Sequence, residues 1–178
     1  MRQRSVWTIV VALVALGAPG VVVAQTSAAS PVYVGGNVGF GFGTVDWVEL
    51  SPLVGVHVSD RFSLGLSGLY RWRDDGRYPG GLSTSDYGAS VFGRYWFAPF
   101  AFGHLEVEYL SYEYVIADLT TERTDQTSTF VGAGVAQPVG PNVALHLTVL
   151  YNLGYDSNDR LAPYDSPWVY RAGVSVGF

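Results

Sequence analysis

The chain has 178 residues, 48% of them hydrophobic and 15% aromatic, with no cysteine and a formal charge of -5. No stretch after residue 24 reaches 18 consecutive apolar residues, which excludes a helical membrane protein. The negative balance argues against nucleic acid or anionic lipid held through a basic patch, and without cysteine, stability must come from strand pairing and packing.

Arg2 and Arg4 precede an apolar run from Val6 to Leu16, Pro19 and Gly20 break any helix, and Val22, Val23 and Ala24 are small or modest residues suited to a signal peptidase. Residues 1–24 therefore read as a secretory signal, 25–31 (QTSAASP) as a short polar linker, and 32–178 as one domain. Removing Arg2 and Arg4 takes the charge to -7.

From Val32 onward the chain alternates with a period of two, the signature of extended segments whose side chains point to opposite faces. The first strand is predicted over Val32–Phe42, with Val32, Val34, Val38, Phe40 and Phe42 opposite Tyr33, Gly35, Asn37, Gly39 and Gly41. A connection over Gly43–Trp47 leads to a second strand, Val48–Val58, in which Pro52 is an awkward member. Ser59, Asp60 and Arg61 make a tight turn into a third, Phe62–Trp72. The segment 73–85, rich in turn formers and charge, reads as a loop.

The fourth strand, Asp86–Phe97, sets Tyr87, Ala89, Val91, Gly93, Tyr95 and Phe97 against Gly88, Ser90, Phe92, Arg94 and Trp96. Ala98 and Pro99 turn the chain into a fifth, Phe100–Ser111, which places Phe102, His104, Glu106 and Glu108 on one side. A loop over 112–126 precedes a sixth, Thr127–Gln137; a turn over Pro138–Asn142 precedes a seventh, Val143–Tyr155. After a loop over 156–167 comes the clearest pattern of all: Trp168, Tyr170, Ala172, Val174, Val176 and Phe178 on one face, Val169, Arg171, Gly173, Ser175 and Gly177 on the other.

Eight strands joined alternately by tight turns and longer connections predict an all-β, eight-stranded antiparallel up-and-down transmembrane β-barrel, apolar outside and small or polar inside. About eleven tilted residues per strand would span roughly 25 Å. Charge placement supports this: the apolar faces of the third, fourth, seventh and eighth strands carry no charge, which facing lipid would cost about 2 to 4 kcal/mol each. The opposite face gathers Glu49, Arg71, Arg94, Glu106, Glu108 and Arg171, three of each sign, with His57, His104 and His146. A lumen only wide enough for side chains must pair them, so a hydrogen-bonded ion cluster is expected there.

The remaining charges, among them Asp46, Asp86, Glu113, Asp118, Glu122, Asp125, Asp156, Asp159 and Asp165, are assigned to connections, giving one acidic rim. Aromatics gather toward both strand ends, as interfacial girdles do. No catalytic, cofactor or metal site is expected. His146 and Thr148 have the spacing of a His-x-Ser pair but face inward, Gly39–Gly43 precedes no helix, and the acidic loops lack a calcium-loop pattern.

Tyr170-x-Ala172-x-Val174-x-Val176-x-Phe178, VSDRFSLGL (58–66) and RYWFAPF (94–100) resemble the small eight-stranded outer-membrane proteins of Gram-negative bacteria, the OmpA/OmpX-type barrels. The resemblance implies a place in the cell outer membrane, both termini periplasmic, and an assembly signal at Tyr170 and Phe178 read by the barrel-assembly machinery. It extends to the barrel and not to the peptidoglycan-binding domain of full-length OmpA. The expected function is structural or surface-interacting, by a monomer with a packed lumen and acidic outer loops, in contact with outer-membrane lipid, lipopolysaccharide and an external partner. A lipid A-modifying enzyme, a narrow porin-like solute channel and a soluble lipocalin-type barrel are the alternatives.

Overall fold

The computed structural model describes residues 31–41, 45–76, 81–116, 120–157, 163–164 and 166–177. The expected signal segment, the lead-in up to residue 30 and Phe178 lie outside them. Eight strands follow in order: β1 (Val32–Gly41), β2 (Val45–Ser59), β3 (Phe62–Asp75), β4 (Leu82–Ala98), β5 (Ala101–Val115), β6 (Thr121–Gly140), β7 (Val143–Asn152) and β8 (Trp168–Val176). Each pairs antiparallel with the next, and β8 returns to β1, closing the barrel.

Period-two alternation decides the faces, and it runs opposite to that of a water-soluble barrel. Leu64, Leu66, Val91, Leu105, Leu145 and Leu147 are exposed on the outer wall, while Arg71, Arg94, Arg171, Glu49, Glu106 and Glu108 are buried within. Inside, bulky side chains lie across glycines of the neighbouring strand. A Cβ at Gly134 would stand 2.3 Å from Phe102 Cζ, and one at Gly55 would stand 2.2 Å from Tyr33 Cζ. Only a residue without a side chain leaves room for a ring there.

Four expectations about boundaries change. β2 begins at Val45 rather than Val48, so 45–47 of the expected connection is ladder. β3 and β4 run on to Asp75 and back to Leu82, and β5 and β6 run on to Val115 and Thr121, so much of the expected loops 73–85 and 112–126 is ladder. Beyond the apolar band the alternation lapses although the backbone ladder continues, and Tyr112 on the β5 extension is buried against Leu69 and Leu110. The chain turns at Pro99–Phe100 and at Pro141–Asn142, each next to a register shift. β7 stops at Asn152 rather than Tyr155, where the Asn152 side chain accepts from Gly154 N at 3.0 Å and folds the chain into a turn.

Pro52 sits on the outer face of β2. The β2–β3 ladder passes from Leu50↔Tyr70 to Leu53↔Ser67 around it, and Ser67 Oγ donates to its carbonyl at 3.0 Å. A residue without N–H is thus accommodated at a local break in the ladder.

Candidate functional site

The register lays charge across neighbouring strands in one row. Arg171 on β8 lies opposite Gly39 of β1, Gly39 opposite Glu49 of β2, Glu49 opposite Arg71 of β3, and Arg71 opposite Asp86 of β4. Signs alternate wherever a side chain exists, as cross-strand pairs favour. At Gly39 the missing side chain lets Arg171 reach over β1: its Nε lies 3.2 Å from Glu49 Oε1.

Arg71 donates to Glu49 Oε2 through NH2 at 2.6 Å and Nε at 3.1 Å. Arg171 also spans the lumen to β5, where NH1 meets Glu106 at 2.8 and 2.9 Å and NH2 meets Glu108 Oε2 at 3.2 Å. Glu49 and Glu108 are fully buried. Charges removed from water to this extent are tolerable only with such pairing and hydrogen bonding. Of the six residues expected to cluster, five meet directly. Arg94 does not touch a carboxylate among the described residues: its Nε donates to His104 Nδ1 at 3.3 Å, and His104 Nε2 meets Glu106 Oε2 at 2.9 Å.

Two further parts of the cluster carry weaker sequence signals. Tyr164, in the β7–β8 connection, is 6% exposed. Its hydroxyl donates to Glu108 Oε1 at 2.5 Å and accepts from Arg71 NH2 at 2.8 Å, and its ring stands edge-on to Phe130 at 5.4 Å. The Arg71 guanidinium lies 4.5 Å from the Tyr164 ring centroid. No periodicity marks a loop residue for this role.

Asp86, assigned from sequence to the acidic rim, is instead fully buried; Arg73 NH2 meets its Oδ1 at 2.9 Å and donates to the Glu113 carbonyl at 2.6 Å. The signal existed, since Asp86 continues the inward parity of Gly88 and Ser90, and Arg73 that of Arg71. Glu113, Glu122 and Asp125, also placed in a loop, stand on β5 and β6, and Arg123 NH2 bonds Glu113 Oε1 at 2.7 Å. Asp118, Asp159 and Asp165 lie outside the described residues.

His146 and Thr148 face inward on β7 and are buried, while Tyr170 stands exposed on the outer wall of β8. Among the described residues, no group of three or more His, Cys, Asp or Glu side chains has the arrangement of a metal site.

No protein-family model matches the chain, and no curated protein sequence matches it. Solved structures do. The N-terminal β-barrel domain of Pseudomonas aeruginosa OprF aligns with a TM-score of 0.54 at 14% identity, over 84% of this chain and 98% of that one. The outer membrane protein OprG of the same organism aligns with a TM-score of 0.55 at 15% identity, over 82% and 93%. The fold is that of a small outer-membrane β-barrel. At this level of identity the likeness is one of architecture, and the charged row is described by its own geometry alone.

Proposed function

We propose that the protein is a non-enzymatic barrel of the outer membrane, with its lumen blocked by the ion cluster and its loop end presented outward for a structural or surface-interaction role. One observation carries this reading: the inside and outside of the barrel are exchanged relative to a soluble protein. Leu66, Val91 and Leu147 are 57%, 57% and 61% exposed, while Glu49, Arg71, Asp86, Arg94, Glu106, Glu108 and Arg171 are buried inside. An apolar wall of that extent in water would aggregate, and in lipid it is the stable surface. The reading extends to both termini in the periplasm, to a monomer in contact with outer-membrane lipid and lipopolysaccharide, to Tyr170 and Phe178 as a signal for the barrel-assembly machinery, and to an external partner met by acidic loops.

The cluster favours a blocked lumen over a solute channel, because Arg171 crosses from β8 to β5 and Tyr164 fills the space beside it. A lipid A-modifying activity at His146 and Thr148 is disfavoured by their inward direction, away from acyl chains. Fractionation of cells with and without the gene tests the assignment. The protein is expected in the outer membrane, heat-modifiable on gels, with lipid A mass spectra unchanged by its loss and no stable conductance in planar bilayers. Recovery as a soluble periplasmic protein would overturn the membrane reading, an altered lipid A spectrum the non-enzymatic one, and a stable pore the blocked lumen.

A further inference from the structure

The barrel wall is uneven at its loop end. β3 and β4 run on to Asp75 and Leu82, and β5 and β6 to Val115 and Thr121, whereas β7 ends at Asn152 and β8 begins only at Trp168. On this low side the connection between β7 and β8 turns back into the lumen, where Tyr164 stands against the buried side chains of Phe130, Leu150 and Val169. Its hydroxyl joins Glu108 to Arg71, its ring lies beside the Arg71 guanidinium, and the carbonyl of the preceding Pro163 accepts from Arg71 NH1 at 3.5 Å.

Tyr164 is neutral and is carried by a connection, not by the ladder. Arg71 holds Glu49, and Arg171 holds Glu106 and Glu108, through bonds in which Tyr164 has no part. Its withdrawal therefore breaks no ion pair. The atoms it would leave, Glu108 Oε1 and Arg71 NH2, are charged groups at the loop end, where water can replace the hydroxyl as both donor and acceptor. The strands keep the charged side chains in register in either case. Two arrangements thus satisfy the row: a dry one with Tyr164 docked and a hydrated one with it withdrawn.

We propose that Tyr164 is a displaceable plug, an autoinhibitory contact by which the β7–β8 connection keeps the loop end of the lumen dry down to Glu108 and Arg71. The Arg171–Glu106 pair, nearer the turn end, stays closed when the plug leaves, so water and small solutes enter without a pore through the membrane. A ligand that grips the connection only in its withdrawn form shifts this equilibrium by its differential affinity for the two states. The plug rests on the blocked-barrel reading given above.

Ser128, the cross-strand partner of Glu108 and 4% exposed, reports the change. The chain has no native cysteine, so Ser128→Cys in the folded protein in lipid vesicles offers a thiol without background, and the probe is a small cationic methanethiosulfonate. With Tyr164 present, the thiol is expected to react in the folded barrel at a slow rate that levels off as reagent is raised, because withdrawal of the plug limits it. A withdrawn state that is a minor population predicts that adding Tyr164→Ala raises the rate about tenfold or more and removes the levelling. Tyr164→Phe, which keeps the ring, is expected between the two, and carries the test if heat-modifiability shows that Tyr164→Ala does not fold. Equal rates in all folded proteins would mean that Tyr164 does not close the lumen. A thiol that reacts, with Tyr164 present, only as the whole barrel unfolds in urea would make the tyrosine a fixed part of the core and would overturn the plug. Either result, with planar bilayers free of stable conductance, leaves the blocked-barrel reading standing; a stable pore in the wild type would remove that reading and the plug with it.

Discussion

At the residue scale, the lumen is governed by the asymmetry between making a buried pair and breaking one. Glu49 is shared by Arg71 and Arg171, so Glu49→Ala takes two hydrogen bonds from Arg71 and a counter-charge from Arg171. Loss of one partner of a buried pair costs about 3 to 5 kcal/mol. Urea unfolding in lipid vesicles, followed by tryptophan fluorescence, should show that loss, and an unchanged midpoint would mean that the row is not maintained in the membrane. Tyr164→Phe is gentler. It keeps the ring against Phe130 and removes only the hydroxyl between Glu108 and Arg71, so the same measurement should register about 1.5 to 3 kcal/mol, the range for hydrogen bonds to charged groups.

At the element scale, strands and faces were legible because burial in a barrel wall imposes a strict period of two, and a one-residue slip would send every leucine inward. The balanced set of six lumen charges could be read from parity for the same reason. The strand ends could not be read in this way. Beyond the apolar band the segments 82–85 and 121–126 have no apolar face to keep, so their sequence carries no alternation although the backbone remains paired. Tyr164 was invisible for a related reason: its position depends on where a connection bends, which no local pattern encodes. Within the ladder, glycine is as informative as leucine. Gly134→Val would drive a side chain into the Phe102 ring, and overpacking of this kind costs about 1 to 3 kcal/mol. The expected result is a smaller heat-modifiable fraction on gels after refolding, partly recovered by Phe102→Leu; equal refolding of all three proteins would argue that the ring has another place to go.

At the scale of the whole molecule, the alternation of short turns and longer connections gives the barrel two unlike ends. The turn at Asp60–Arg61 belongs to one and the connection through Asp156 to the other. Since the chain has no native cysteine, single cysteines at these positions would report orientation without background. An impermeant maleimide added to intact cells is expected to label Asp156→Cys and not Asp60→Cys; the reverse pattern would invert the barrel.

The gap at Gly39 has a consequence for how such a barrel can be made at all. Arg171 arrives on the last strand and reaches Glu49 across the first, so the ion pair between them exists only when the ring is shut. An unclosed sheet would hold Glu49, Glu106 and Glu108 without their shared cation, a state favourable only while water still fills the interior. Drying of the lumen and joining of the two ends of the sheet are thereby tied into a single cooperative event, in which a misregistered seam would take Arg171 away from Glu49 and leave that carboxylate to Arg71 alone.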